Sequence, residues 1–505
     1  MKTFKKIFAF ALSLVMVLSV APCAFAAEDV DYEIGNPYEK VDFSTWNQYK
    51  FDPHCHTTFS DGGNTMAEMV ERHYELDFDI IALTDHGTVS YGFTNQPQTR
   101  VMKIFSLVKN GFVTDETLSA NGTAANGNAY KVTEANGDEY YSQTLASGTD
   151  GQQMLRVPFG NEQNPTSFNN AHVNTWFADY GHGVVGGTSN YLSPISAVDE
   201  LGGLSVINHP GEYTNARDEL LTEDAYNIEE SIYNYKVNKF ANLLTTYKTC
   251  LGIDINSKGD SRTRFDRKLW DILLQKIVPT GRNVFAIASS DAHNLDIVDS
   301  GYTSVLMPEL TSAALKSSME NGSFFAASKY IGNYDELVQL EKELKASNDP
   351  AAAKFLNETL SPLIDTIYNE IFVEGDQGTR FKAADGTTVP SITNVTVNEA
   401  EDTIAVETAN ALTVHWIANG KVIHVGNSID LDDYSDDITS YVRAEAYGEG
   451  GVVYSQPFTL DYDGAPTAEK EYFFDWGTIA SAICDTPVKI LALILPIELI
   501  VSLFK

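Results

Sequence analysis

The sequence is poor in cysteine and in basic residues. It has 505 residues but 4 cysteines, at positions 23, 55, 250 and 484, which are too few and too widely spaced for a disulfide framework. Lys and Arg number 34 against 69 Asp and Glu, a net charge of −35. This excess disfavours strong binding to a nucleic-acid polymer. Positive charge for an anionic substrate is equally scarce, and bound metal ions could supply it.

The first 26 residues have the pattern of a secretory signal peptide. Lys2, Lys5 and Lys6 precede a nearly unbroken apolar run over 7–21, and Ala24-Phe25-Ala26 follows as a small-residue cleavage site. An uncleaved anchor is the alternative, but the run is short. We therefore predict that residues 1–26 are removed and that the protein is secreted or extracytoplasmic.

The last segment, 476–505, is apolar but interrupted by charged residues and prolines. Residues 490–504 would make a helix of about 22 Å, which is shorter than a bilayer. We predict an amphipathic or partner-packing tail, and membrane association through it is the alternative.

The segment 50–330 alternates short apolar strands with helical spacers. Tyr49–Thr57, Thr65–Leu76 and Ile80–Leu83 read as strand, helix and strand, which indicates a parallel βαβ unit. Further strands are predicted at Leu204–Asn208, Gly252–Ile255, Val284–Ala288 and Thr303–Met307, with a helix at Arg267–Ile277. This repetition predicts an α/β fold and favours a β/α barrel over an antiparallel sheet.

Three other segments differ in composition. Residues 110–155 are rich in Asn, Gly, Thr and Ser and predict an inserted loop or hairpin. Residues 331–372 predict a helical insertion. Residues 386–462 contain short alternating runs, with Asn419-Gly420 as a hairpin turn, and predict an all-β module of sandwich type.

Five of the ten histidines follow or end predicted strands in this region. They occur in the motifs His54-Cys55-His56, Thr84-Asp85-His86, Asn208-His209-Pro210 and Ser290-Asp291-Ala292-His293. The carboxyl ends of the strands of a β/α barrel converge on one face, so these residues are expected to share a pocket. Neutral imidazoles and carboxylates are ligands for Zn, Mn and Fe. A metal site follows from this pattern.

The ordered motifs FDPHCHTTFSDG, IIALTDHG, VINHP and ASSDAH resemble the PHP (polymerase and histidinol phosphatase) domain family of metal-dependent phosphoesterases, over roughly residues 50–330. The resemblance implies a distorted (βα)7 TIM-like barrel with a cluster of two to three divalent metals, Zn, Mn or Fe. The ligands it implies are His54, His56, Asp61, His86, Glu162, His172, His209, Asp291 and His293.

Two of these ligands lie in weaker motifs. Glu162 fits the bridging carboxylate of the family, and an ordinary loop Glu is the alternative. His172 competes with His182, and we favour His172 because it leads into a strand-like run. The resemblance implies three groups of ligands, with Glu162 shared by two of them: His54, His56, Glu162 and Asp291; Glu162, His172 and His209; Asp61, His86 and His293.

The remaining candidates surround this set. Asp61, His86, Glu162 and His293 are the predicted catalytic residues, and Arg262 and Arg264 are candidates to bind a substrate phosphate. For the two arginines, solvated loop charges are the alternative. Asp85 could orient an imidazole or cap a helix. Asp254 and Asn256 are expected to line the pocket without ligating, and Cys55 to be packed rather than nucleophilic. His73, His415 and His424 look structural.

The leading hypothesis is a phosphoesterase that uses a metal-activated hydroxide on a small phosphate-ester substrate. The same site could instead hydrolyse carboxyl esters, carbamates or amides. A third reading is a non-catalytic surface or binding protein, but no position of the motif set is missing.

Overall fold

The computed structural model describes most of the chain between residues 30 and 470. The described ranges are 30–99, 117–144, 147–149, 151–163, 171–184, 190–214, 231–257, 263–332, 334–346, 350–368, 381–383 and 386–470, with a few short stretches beside them. The predicted signal peptide lies outside them, as does most of the tail.

Within these ranges the chain forms 24 strands and eight α-helices. The strands are β1 Glu33–Gly35, β2 Asn47–Cys55, β3 Ile80–Leu83, β4 Asn121–Thr123, β5 Ala129–Ala135, β6 Asp138–Gln143, β7 Met154–Arg156, β8 Asn161–Gln163, β9 Val173–Trp176, β10 Leu204–Ile207, β11 Cys250–Asn256, β12 Phe285–Ala288, β13 Gly301–Met307, β14 Phe324–Ser328, β15 Tyr330–Gly332, β16 Phe381–Lys382, β17 Ser391–Asn398, β18 Thr403–Ala409, β19 Thr413–Ala418, β20 Lys421–Val425, β21 Ser428–Asp430, β22 Tyr441–Gly448, β23 Gly451–Tyr454 and β24 Phe458–Asp461. The helices are α1 Met66–Glu75, α2 Leu192–Glu200, α3 Ser231–Thr246, α4 Thr263–Ile277, α5 Ser312–Asn321, α6 Tyr334–Ala346, α7 Pro350–Phe355 and α8 Ser361–Tyr368.

The strands and helices predicted for the motif-bearing region are confirmed within a few residues. β2, α1 and β3 form the expected unit, with β2 parallel to β3 and β3 parallel to β7. Helix α1 begins with a capping box, in which Thr65 and Glu68 satisfy each other's backbone N–H groups. Its buried face carries Met66, Met69 and Val70, as the apolar spacing predicts.

A second sheet has the order β12-β11-β10-β9-β8. β10, β11 and β12 are parallel, but β9 runs antiparallel to both β10 and β8. Helices α3 and α4 cover this sheet, and Phe240, Leu244 and Trp270 are buried in the core between them. The sheet is therefore mixed, because β9 pairs antiparallel with both of its neighbours.

The two sheets meet at the ends of their strands. Isolated bridges join Cys55 to Ala292 and His86 to Glu162. The described strands form separate sheets linked by these bridges and do not make one continuous closed sheet. The fold is mixed α/β, and the (βα)7 barrel stays a prediction.

The carboxyl-terminal strands are not isolated from the first sheet. That sheet continues from β2 and β13 through β14 to β23, β22, β24 and β1. β14 pairs with β23, with Ala326 opposite Tyr454. The predicted hairpin is confirmed, since Asn419 and Gly420 both have positive φ between β19 and β20. A three-stranded sheet, β17-β18-β21, packs beside these strands through Ile392, Ile404 and Ile429.

The two predicted insertions form regular structure where they are described. β4, β5 and β6 make an antiparallel extension attached to β7. Helices α6, α7 and α8 pack around Leu337, Leu340 and Phe355. In the described part of the tail, Trp476 and Ile483 are exposed. Among all described residues, we find no helix with both the length and the apolar character needed to cross a membrane.

Candidate metal centre

The predicted ligands gather where strands of the two sheets end. His54 lies in β2 and His56 follows it, His86 follows β3, His209 follows β10, and Asp291 follows β12. These five residues are all buried, with exposures of 6% or less. Their convergence is the result expected when parallel strands end at one edge.

His172 reaches the same edge by the opposite route. It precedes β9, and β9 is antiparallel to β10, so the start of β9 lies beside the end of β10. The N–H of Asn208 donates to the carbonyl of His172 at 3.0 Å, and this hydrogen bond holds His172 beside the end of β10. The reversal of β9 therefore brings His172 close to His209.

Four side-chain atoms form a compact group at the centre. The Nε2 atoms of His54 and His56 lie 3.0 Å apart, and each lies 3.1 to 3.2 Å from both Glu162 Oε2 and Asp291 Oδ1. Five of the six distances among these four atoms are thus 3.0 to 3.2 Å, close enough for all four atoms to bind one small cation. These are the four residues expected to share one metal, and their donor atoms fit a single cation.

Glu162 faces different partners with its two oxygens. Oε2 lies against His54 and His56, whereas Oε1 lies 2.8 Å from His172 Nδ1 and 3.6 Å from His209 Nε2. The side-chain amide of Asn208 also donates to Oε1 at 2.8 Å. One carboxylate thus spans two groups of imidazoles, as a bridging ligand would.

Asp61 and His293 form a second part of the centre, next to His56 and His86. Asp61 Oδ2 lies 3.3 Å from His293 Nε2, and Oδ1 lies 3.5 Å from His56 Nδ1 and 3.9 Å from His86 Nε2. His56, Asp61 and His86 can hold one cation by their donor spacing, and so can His86, Glu162 and His172. His86 thus contacts two of the predicted ligand groups, whereas the family resemblance assigns it only to the group with Asp61 and His293.

The backbone at the centre is tightly constrained. His209 and Asp291 have φ of 27° and 44°, a left-handed region that is uncommon for residues with a Cβ. Gly62, after Asp61, lies so close to His56 that a Cβ would be 2.7 Å from the His56 carbonyl. A glycine at 62 is required because the turn carrying Asp61 folds back on the strand end.

Two carboxylates of the centre, Glu162 and Asp61, are held in the ionised form. Burial raises the pKa of Glu162, but the charges of His54, His172 and other imidazoles outweigh it, so the pKa lies well below its usual value. The pKa of Asp61 is likewise lowered well below its usual value: burial opposes this, and the interactions with neighbouring imidazoles, that with His86 first, outweigh it. Ionised carboxylates are the form that binds a cation.

The imidazoles differ in their protonation. Burial lowers the pKa of His86 to about 3, so its ring is neutral at pH 7. Burial also opposes charge on His56, but hydrogen bonds to Asp291 and Glu162 prevail and raise its pKa well above the usual value. A cation bound at this site would therefore displace a proton from His56, and metal binding should weaken as the pH falls.

The other predicted residues lie around this centre. Asp85 accepts hydrogen bonds from the Thr57 N–H, the Thr57 hydroxyl and the Ser60 hydroxyl, and so orders the loop before Asp61 rather than contacting an imidazole directly. Burial raises the pKa of Asp254 to about 6, and Asp254 accepts a hydrogen bond from the Ser289 hydroxyl.

Cys55 and the two arginines need separate comment. Cys55 is fully buried and its Sγ lies 3.4 Å from the Ala82 carbonyl. Burial raises the pKa of this thiol well above its usual value, which agrees with a packed, unreactive Cys. Arg262 lies outside the described residues, and the backbone of Arg264 lies in α4.

The fold and the donor atoms together define an α/β protein with a candidate multinuclear metal centre. The family model of the PHP domain matches residues 52–346, more than half of the chain. The chain belongs to the PHP domain family. This confirms the resemblance predicted from the motifs.

Among solved structures, the chain is similar to a two-domain protein from Bacteroides vulgatus described as containing a predicted PHP-like metal-dependent phosphoesterase. The identity is 15%, over 83% of this chain and 88% of that one, with a TM-score of 0.35. It is also similar to PsfC from Pseudomonas syringae, at 14% identity over 52% of this chain and 84% of that one, with a TM-score of 0.28. Comparison with curated proteins gives no match. The family assignment therefore rests on the domain match.

The choice between His172 and His182 leads to a direct test. His172 lies 2.8 Å from Glu162, whereas the ring of His182 lies 5.1 Å from the ring of Tyr91. We expect His172→Ala to lower the metal content per chain and His182→Ala to leave it unchanged, as measured by elemental analysis of the purified variants. Metal loss from His182→Ala alone would reverse the assignment.

Proposed function

We propose that the protein is a metal-dependent phosphoesterase, acting on small phosphate esters. The observation that carries the proposal is the position of Glu162, whose two oxygens face separate imidazole groups. A carboxylate placed in this way could be shared by two cations, which would supply the Lewis-acid chemistry that suits hydrolysis of phosphate esters. Membership of the PHP domain family supports the same reaction class.

The proposed ligands are grouped around the two oxygens of Glu162. His54, His56 and Asp291 would hold one cation with Glu162, and His172 and His209 would lie at the other carboxylate oxygen. When bound, divalent cations supply Lewis-acid polarisation of a phosphoryl oxygen and lower the pKa of water.

The remaining pair faces the centre from the side of the S-D-G turn. His293 Nε2 lies 3.3 Å from Asp61, and 25% of its side chain is exposed, more than for the ligands around Glu162. We propose that His293 lies where substrate enters and can donate a proton to the leaving alkoxide.

Electrostatics favour a small substrate. The net charge of −35 opposes approach of a polyanion, and the side chains facing Glu162 are imidazoles and an amide with no permanent positive charge. Charge neutralisation of a phosphoryl group would then depend on the cations.

The experiment is turnover of bis-p-nitrophenyl phosphate, p-nitrophenyl phosphate and p-nitrophenyl acetate by the purified chain loaded with Zn²⁺, Mn²⁺ or Fe²⁺. We expect phosphate-ester turnover that is lost in His54→Ala and Asp291→Ala. Turnover of the acetate alone would favour the carbonyl-ester alternative. Two to three bound metals without any turnover would favour a binding protein.

A further inference from the structure

A buried carboxylate outside the predicted ligand set lies directly beneath the centre. Asp52, in β2, is fully buried. Its Oδ1 accepts the N–H groups of His54 at 3.2 Å and Ser290 at 3.1 Å. Its Oδ2 accepts the Ser290 hydroxyl at 2.5 Å and lies 2.8 Å from His73 Nε2.

These contacts connect two segments that are far apart in sequence. One segment carries His54 and His56 at the end of β2, and the other carries Asp291 after β12. A backbone hydrogen bond from His56 to Ala292, of 2.9 Å, is a second connection nearby. The 3.2 Å approach of His54 Nε2 to Asp291 Oδ1 depends on this relative position, because the two residues come from different sheets.

His73 supports Asp52 from helix α1. It is fully buried, with Nδ1 2.8 Å from the Met69 carbonyl and Nε2 2.8 Å from Asp52. Both ring nitrogens therefore have partners, one a main-chain carbonyl and the other the carboxyl group of Asp52, and these contacts fix the orientation of the ring. The Asp52 carboxyl group is in turn satisfied by His54, Ser290 and His73, which explains how it is tolerated in the core.

The spacing of Asp52, Cys55 and His73 would also admit a cation. The hydrogen bonds argue against this occupant. Both nitrogens of His73 already have partners, the Met69 carbonyl and Asp52, and the Cys55 Sγ lies 3.4 Å from the Ala82 carbonyl, as expected for a protonated thiol. Hydrogen bonds therefore account for all three groups.

We infer that Asp52 and His73 form a positioning pair, which holds the two ligand-bearing segments at the separation a cation requires. The inference rests on the proposed metal centre but not on the reaction it performs. Helix α1 is thereby connected to the centre: its capping box and buried apolar face fix His73, His73 fixes Asp52, and Asp52 fixes the backbone at His54 and Ser290.

The test measures metal affinity rather than activity. Asp52→Asn and His73→Gln are compared with the wild-type chain by competition for Zn²⁺ against a chromophoric chelator, and by the rise in Tm on adding Zn²⁺. We expect affinity to fall roughly 10- to 100-fold, as when groups that orient metal ligands are removed. The control is His415→Gln, a buried His that faces the Glu343 carboxylate beside β19. We expect it to lower the Tm of the metal-free chain without changing Zn²⁺ affinity.

If Asp52→Asn does not fold, Ser290→Ala removes only the hydroxyl contact and should weaken affinity in the same direction. Variants that lower Tm like the control yet bind Zn²⁺ as tightly as wild type would overturn the positioning role. Failure of the wild-type chain to bind Zn²⁺, Mn²⁺ or Fe²⁺ would instead overturn the metal centre itself. The two failures are distinguished by the wild-type titration alone.

Discussion

Glu162→Gln is expected to lower phosphate-ester turnover by about three orders of magnitude and to lower the metal content of the protein. Glu162 lies within 3.6 Å of His54, His56, His172 and His209, and its pKa is held well below the usual value. A glutamine has a similar shape but no charge, and its amide nitrogen cannot bind a cation. Losing transition-state stabilisation of about 4 kcal/mol would lower kcat/KM on the order of 10³-fold.

The matched control is Glu71→Gln. Glu71 is also a buried glutamate, but it accepts the N–H of Ala125 at 2.8 Å, on the outer side of α1 where the inserted strands begin. We expect this variant to keep its metal and its turnover. The metal content of both variants is measured by elemental analysis, and their kcat/KM by steady-state kinetics. A Glu162→Gln protein with full metal content and wild-type kcat/KM would mean that Glu162 does not bridge.

The strand-end histidines could be predicted because their signal is local. A short apolar run followed by His or Asp identifies a buried strand and a polar residue at its end, as for Ile80–Leu83 and His86. The parallel pairing of β2 and β3 then brings such ends together. The motif order made the same residues recognisable as those of the PHP domain family.

The route of the chain between these strands could not be predicted in the same way. Val173–Trp176 is short and buried like its neighbours, and nothing in its composition indicates that it is antiparallel to β10. The pairing of Ala326 with Tyr454 is equally hidden, since it joins residues more than a hundred positions apart. Strand pairings of this kind depend on tertiary packing rather than on local propensity.

The positioning pair was missed for a related reason. His73 lies on a helix with an apolar face, where a structural role is the common one, and Asp52 precedes the motif whose histidines attract attention. A signal did exist. Asp52 lies in the strand only two residues before His54, and a carboxylate at the buried end of a strand needs hydrogen-bond donors around it.

A second large effect is expected on stability, at the contact between helix α4 and strand β22. Arg443 is buried, and its guanidinium donates to both oxygens of Asp271 at 2.8 to 2.9 Å and to Glu445 at 2.5 Å. It also lies 4.6 Å above the ring of Trp270. The Tyr441 hydroxyl donates to Asp271 at 2.7 Å. Burial opposes charge on Arg443, but Asp271 and Glu445 prevail and raise its pKa well above the usual value.

Asp271→Ala leaves this permanent charge buried with one of its two carboxylate partners, and removes the acceptor of Tyr441. Removing one partner of a buried ion pair costs about 3 to 5 kcal/mol, so we expect the free energy of unfolding to fall by that amount in urea titrations. Glu341→Ala is the control: its pair with Lys345, 2.7 Å long, involves a lysine that is 58% exposed, and its loss should cost less than about 1 kcal/mol. Asp271 lies in the middle of α4 and outside the metal-binding groups, so the folded variant should keep its metal content. If Asp271→Ala unfolds at the same urea concentration as Glu341→Ala, the network does not stabilise the contact between α4 and the carboxyl-terminal strands, and that contact must depend on apolar packing alone.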